Sequence, residues 1–269
     1  MAAATYAGKS IVLTGASSGI GRALALALAA QRPRLVLAAR DAESLADVAG
    51  ECRALGAEAM VVPTDVSDPQ AAAFLIETAV SAFGGIDALV NNAGISMIAR
   101  FDEVTDLSLF ESLMRVNYLG GVYLTHHALP HLKERRGQIV VMASLAGITG
   151  VPTRTGYAAS KHAVIGFFDS LRIELAGSGV DVTIVAPDFV VSEIHRRSVG
   201  ADGRPVGRSP MQESKLMTAE ECAALTLRAM ERRQRMAILS ARGRWGRFAR
   251  LVAPGLIDRI AAGAVRKGR

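Results

Sequence analysis

The chain is poor in cysteine. Cys52 and Cys222 stand far apart and match no metal-ligand spacing, which excludes a disulfide framework and a cysteine-based metal site. Two isolated thiols suit a reducing, cytoplasmic setting. No stretch of about 18 uncharged apolar residues occurs, so no membrane-crossing helix is expected. The opening residues, Met-Ala-Ala-Ala-Thr-Tyr-Ala-Gly-Lys, lack an apolar segment behind basic residues, so no secretory signal is expected. Internal repeats, low-complexity linkers and breaks in composition are also missing. That argues for one domain over residues 1–240. Acidic residues are scarce at one end only: eight basic residues beyond position 240 face Asp258 alone, a net charge of +7. With +6 for the whole chain, the preceding residues carry −1, so the alkaline balance describes a tail over 241–269 and no nucleic-acid-binding domain.

What is present is an alternation. Short apolar, β-branched runs near 10–14, 34–38, 59–63, 88–91, 138–143, 181–186 and 236–240 are separated by stretches of helical pattern near 21–30, 42–55, 69–83, 108–135, 157–176 and 219–232. Strands alternating with helices imply βαβ units: an α/β fold of the Rossmann type, a doubly wound parallel sheet of about seven strands with helices on both faces. Runs such as Ile11-Val-Leu13 and Ile139-Val-Val-Met142 suit strands buried on both sides. The stretch from about 188 to 217, rich in Arg, Ser, Gly and Pro, shows no period. A loop of that length in a compact domain is usually functional.

Between the first strand and first helix runs Thr14-Gly-Ala-Ser-Ser-Gly-Ile-Gly21. Gly15, Gly19 and Gly21 permit a tight turn and close approach to a pyrophosphate, and the helix N-terminus behind Ser17, Ser18 and Ile20 offers N–H groups to its charge. The second strand ends at Arg40-Asp41. A guanidinium there can fork onto the 2′-phosphate of NADP, whereas a carboxylate holds the ribose hydroxyl of NAD. Arg40 points to NADP(H), and Asp41 keeps NAD(H) open as the alternative.

Tyr157 and Lys161 are four residues apart, on one face of a helix. An ammonium beside a phenol favours the phenolate and draws its pKa down from about 10, as a general acid/base for an alcohol or carbonyl requires. With Asp65-Val66, Asn91-Asn92-Ala93-Gly94, Asn117 and Ser144 falling in order around these motifs, residues 8–240 resemble the short-chain dehydrogenase/reductase superfamily, in its compact Tyr-x-x-x-Lys branch. The resemblance implies that Tyr157 exchanges a proton with the substrate oxygen and that Ser144 positions that oxygen. It implies that Lys161 holds the nicotinamide ribose and acidifies Tyr157, and that Asn117 supports a water linking Lys161 to solvent. Asp65 and Val66 would meet the adenine, and Asn92, Ala93 and Gly94 the ribose beside it. Pro187, Val190 and Ser192 complete the implied cofactor contacts. The chain departs from the family where Pro187 is followed by Asp188 instead of glycine, and where Ser18 stands in place of a basic residue found in some NADP-using members.

Leu145, Val151 and Phe189, with Ser144 and Tyr157, are expected to line the substrate site. Ile95, Ser96, Met97, Ala146 and Pro152 are further candidate walls. Their apolar character favours a hydrophobic ketone, aldehyde or alcohol, although Arg196, Arg197 and Arg204 leave an anionic group open. In the tail, Trp245, Phe248, Leu251 and Val252 fall at helical spacing between arginines, as in an interfacial helix on an anionic membrane or a helix packed on the fold. The resemblance also implies a homodimer or homotetramer paired through the long helices. A catalytically silent dinucleotide-binding regulatory protein and a lyase or epimerase are the other readings; the intact Ser144, Tyr157 and Lys161 set and the compact length weigh against them.

Overall fold

The computed structural model describes residues 5–191, 194, 196–207 and 216–266, with residues 264–266 described as backbone only. Seven strands form one parallel sheet: β1 (Ser10–Thr14), β2 (Arg34–Ala39), β3 (Glu58–Pro63), β4 (Ala88–Asn91), β5 (Gln138–Met142), β6 (Asp181–Ala186) and β7 (Met236–Ile238). Their order is β3-β2-β1-β4-β5-β6-β7. The chain therefore reverses direction across the sheet between β1 and β4, the switch point where doubly wound folds open a ligand crevice at the carboxyl ends of their strands.

The helices are α1 (Gly19–Ala29), α2 (Ala42–Ala54), α3 (Pro69–Phe83), α4 (Ser108–Met114), α5 (Gly120–Arg135), α6 (Thr155–Glu174), α7 (Ala219–Glu231), α8 (Ala241–Val252) and α9 (Pro254–Arg266). Alternation along the strands divides two cores. Ile11 and Leu13 turn to one face, where α1, α2 and α7 contribute Leu24, Leu28, Leu45, Val48 and Met230. Val12 turns to the other, against Leu75, Ile76, Leu124, Leu132 and Phe168 of α3, α5 and α6. Cys52 and Cys222 are buried in the first core, where burial pushes their thiols up to about 11 and about 12. They are inert packing groups.

The stretch expected as one helix over 108–135 is α4 and α5 joined by a π-helical turn at Arg115–Leu119. Helix α6 begins at Thr155, just ahead of the expected start. The described tail is helical as α8 and α9, with Ala253 as the break between them. Among the described residues no helix is long and apolar enough to cross a membrane.

Candidate active site

The turn after β1 is held by the turn after β4. Thr14 Oγ1 accepts the N–H groups of Asn92 and Ala93, both at 3.1 Å, and donates to the Val90 carbonyl at 3.3 Å. Asn92 Nδ2 donates to the carbonyls of Thr14 and Gly15, at 2.9 and 3.2 Å. Gly15 has φ +64°, and a Cβ there would lie 2.9 Å from Ala93 Cα. A Cβ on Gly21 would lie 2.0 Å from the Gly15 carbonyl oxygen, so the loop closes only with glycine at this position. Ser18 precedes α1 in extended conformation without capping the helix through its side chain. The first N–H groups of α1 are thus left for a partner in the crevice.

At the end of β2, Arg40 is exposed beside the same crevice. Asp41 is engaged elsewhere. It is the N-cap of α2, accepting from Ser44 N at 3.1 Å and Ser44 Oγ at 2.6 Å, and these bonds hold its carboxyl below the ordinary value. Burial alone would push Asp65 up, but hydrogen bonds from Ser67 and the charge of Arg40 outweigh it, so its carboxyl also lies low. Arg197 joins Arg40 and Asp41 along this end of the crevice, and its positive charge reaches Asp41.

At the other end, β5 delivers Ser144 and α6 delivers Tyr157 and Lys161. Ser144 accepts from Ala146 N at 3.1 Å and hydrogen-bonds the Tyr157 phenol. Burial raises the phenol's pKa; that hydrogen bond and the charge of Arg154 oppose the rise. The neighbouring ammonium was expected to draw the phenol down. Here Lys161 Nζ lies 5.9 Å from the Tyr157 ring centroid and donates to the Met142 carbonyl at 2.7 Å, so the opposing cation is Arg154. Burial pushes Lys161 down to about 8. Asn117 sits in the π-helical turn, a distortion frequent at functional sites. Its Oδ1 accepts from Ile95 N at 2.8 Å, and its Nδ2 donates to the Ile95 carbonyl at 3.0 Å and to Ser160 Oγ at 2.9 Å. Gly94 lies between Asn117 and Lys161: a Cβ there would be 3.1 Å from Oδ1 of the first and 3.7 Å from Nζ of the second.

These groups line one crevice of about 1070 Å³. Gly15, Ser17, Ser18, Gly19, Ile20, Gly21, Arg40, Asp65, Val66, Asn92, Ala93, Gly94, Pro187 and Val190 all face it. So do Ser144, Leu145, Val151, Tyr157, Lys161 and Phe189. Asn117 lies behind the wall, and Ser192 falls outside the described residues. Ser96 and Met97 are buried behind the wall, where Ser96 Oγ accepts from Arg154 Nη1 at 2.9 Å. Sequence reasoning missed Arg154, only 6% exposed, because an arginine in the turn that leads into a helix reads as a surface charge. It also missed the extent to which α8 and α9 close the crevice, with Trp245, Phe248, Leu251, Ile257 and Ile260 along its rim.

A model of the short chain dehydrogenase family matches residues 9–202. The 11-beta-hydroxysteroid dehydrogenase of Pinus massoniana is 38% identical over 215 residues, 80% of this chain and 57% of that protein. The 11-beta-hydroxysteroid dehydrogenase A of Arachis hypogaea is 43% identical over 189 residues, 70% of this chain and 54% of that protein. The chain thus spans less than two thirds of these relatives. A mouse protein, dehydrogenase/reductase SDR family member 7B, is 33% identical over 265 residues, 96% of this chain and 82% of its own length. The crystal structure of a short chain dehydrogenase/reductase from Burkholderia phymatum in complex with NAD superposes with a TM-score of 0.83 at 29% identity, covering 94% of this chain and 96% of that one.

Proposed function

This chain belongs to the short-chain dehydrogenase/reductase family of oxidoreductases, and on that premise we propose that it interconverts a hydrophobic ketone or aldehyde and its alcohol with NADP(H). The observation that carries the reading is the Tyr157 phenol, hydrogen-bonded with Ser144 in the crevice that the glycine loop enters from the opposite end. The residues fit a dinucleotide: Gly15 and Gly21 let the turn after β1 close tightly on itself and on Asn92 and Ala93, and the start of α1 has N–H groups to offer a pyrophosphate. Arg40 and Arg197 supply positive charge at the adenosine end, while Asp41 is committed to capping α2. That distribution favours NADP(H) over NAD(H).

The nicotinamide, when bound, gives or takes the hydride. The chain's own groups handle the proton and the position. A buried phenol with a raised pKa holds its proton at neutral pH, as a general acid for carbonyl reduction must. Ser144 Oγ orients the substrate oxygen beside Tyr157 Oη. Lys161, at about 8 and turned to the Met142 carbonyl, holds a proton that can be exchanged near working pH. Asn117 fixes the Ile95 backbone to α6, which keeps the nicotinamide side of the crevice in register with the catalytic helix. Leu145, Val151, Phe189 and the rim of α8 and α9 surround the substrate with apolar surface. Steroid-like and other lipid-like carbonyl compounds suit that wall.

Tyr157→Phe tests the assignment. We expect at least a hundredfold loss of kcat, within the range for a removed general acid, with NADPH binding by fluorescence nearly unchanged. A variant within a few-fold of the parent would exclude Tyr157 as the proton donor. A parent that binds NADPH yet turns over no steroid, aryl-ketone, acyl-chain or sugar carbonyl would favour a regulatory dinucleotide-binding protein instead.

A further inference from the structure

Asp188 stands where the family resemblance leads one to expect glycine. An acid beside a pyrophosphate site is unfavourable unless its charge is matched, and here it is. The Asp188 carboxylate, whose side chain is 11% exposed, accepts from Arg242 Nη2 at 2.8 Å, Arg242 Nε at 3.1 Å and Ser240 Oγ at 2.9 Å. Its neighbour Pro187 accepts from Leu145 N at 2.9 Å. The fork therefore ties the turn after β6 to the first turn of α8. Gly243 then presses on the β5 side of the crevice, for a Cβ there would lie 2.6 Å from Leu145 Cδ2. Further along, Arg250 Nη1 donates to the Ile148 carbonyl. Beyond these contacts α8 presents Trp245, Phe248 and Leu251 at the rim, and α9 adds Ile260.

We propose that Asp188 is a positioning residue that clamps α8 across the crevice, so that α8 and α9 form the wall receiving the extended apolar part of the substrate. The inference rests on the oxidoreductase reading for its substrate side only. A bidentate guanidinium–carboxylate pair fixes direction as well as distance, so the fork sets the angle at which α8 leaves β7. Without it, Leu145 and Ile148 still catch the helix but no longer orient it. Substrates that end near Ser144 never reach this wall, whereas longer ones depend on it.

The test uses the full chain with Arg242→Gln, at an exposed position, and Asp188→Asn as a second variant. Two readouts are taken: chymotryptic cleavage after Trp245 and Phe248, and kcat and KM for a ketone series of increasing alkyl length. Cleavage requires α8 to open locally. We expect Arg242→Gln to speed cleavage about tenfold and to raise KM for the longest ketones about tenfold, the equivalent of about 1.4 kcal/mol. KM for the shortest ketone and kcat throughout should stay within twofold of the parent. Asp188→Asn should act in the same direction, and the double variant should add little. Unchanged cleavage in Arg242→Gln overturns the clamp; a KM rise equal for short and long ketones overturns the wall. If the parent reduces none of the ketones, the oxidoreductase reading falls, while the cleavage arm still decides the clamp.

Discussion

Lys161 carries an ammonium into a site that disfavours the charge, and this has a measurable cost. Its folded-state value is about 8 against an ordinary 10.5, so the native state binds fewer protons than the unfolded chain between those limits. The penalty is fully present below about pH 8 and relieved as pH rises toward 10.5, so this group's contribution to stability climbs across the window. In Lys161→Met that climb should vanish. Measured by urea unfolding, the parent should gain about 2 kcal/mol on the variant between about pH 7 and pH 9.5. A constant difference across pH would show that Lys161 is not desolvated. Comparison with the variant matters because the raised phenols of Tyr6 and Tyr157 act in the opposite sense, losing stability above about pH 10. At the adenosine end, a charge-assisted hydrogen bond from Arg40 is worth about 1.5–3 kcal/mol, roughly one to two decades of affinity. Arg40→Ala should raise the KM for NADPH by about ten- to a hundredfold and leave NADH little changed. Equal losses for both coenzymes would show that Arg40 does not read the 2′-phosphate.

The elements of the tail form a surface as well as a wall. Trp245 is 76% exposed and Val252 86%, with Phe248 and Leu251 also exposed between Arg244, Arg247 and Arg250. A helix of apolar and cationic side chains with much of its apolar area in water suits an anionic lipid interface. We expect vesicles containing phosphatidylserine to sediment the full chain, and binding to fall steeply as salt is raised, because exposed charges are screened over about 10 Å at 0.1 M. A chain ending at Ser240 should bind these vesicles far less, and equal binding would rule out the tail. At this scale the sequence could be read unevenly. Strands such as Ile11–Leu13 declare themselves by continuous apolar residues, and the glycines of the Thr14–Gly21 turn by their spacing. The docking of α8 depends on Asp188, Arg242 and Gly243, which come together only after β6 and β7 pair. Nothing in the local pattern of 241–252 separates a helix on lipid from a helix on Leu145. The approach of Arg154 to Tyr157 was hidden for the same reason: burial of a charged side chain is set by tertiary packing.

As a whole molecule the chain should pair with copies of itself. The resemblance implies contact through the long helices, and Leu107 beside α4 and Ile173 on α6 are exposed in the single chain. Sedimentation at micromolar concentration without detergent should give at least twice the 28.3 kDa of one chain. A monomer at that mass would contradict the pairing. The layered architecture itself was legible, because both cores follow from alternation along buried strands. The join between α4 and α5 was not, since periodicity over 108–135 cannot show where a helix takes in an extra residue. Yet that surplus has a consequence for how this region can vary. A π-helical turn holds one residue more than an α-helical turn needs. Deleting one residue from 115–119 could leave a continuous α-helix with Leu109 and Leu113 still in phase with Leu124 and Leu132, because the wide turn absorbs the surplus residue with almost no net rotation. The cores would tolerate the change, whereas the bulge that presents the Asn117 carboxamide to Ile95 and Ser160 would be lost. The extra residue is therefore held by the site and not by the packing: the length of this stretch answers to Asn117.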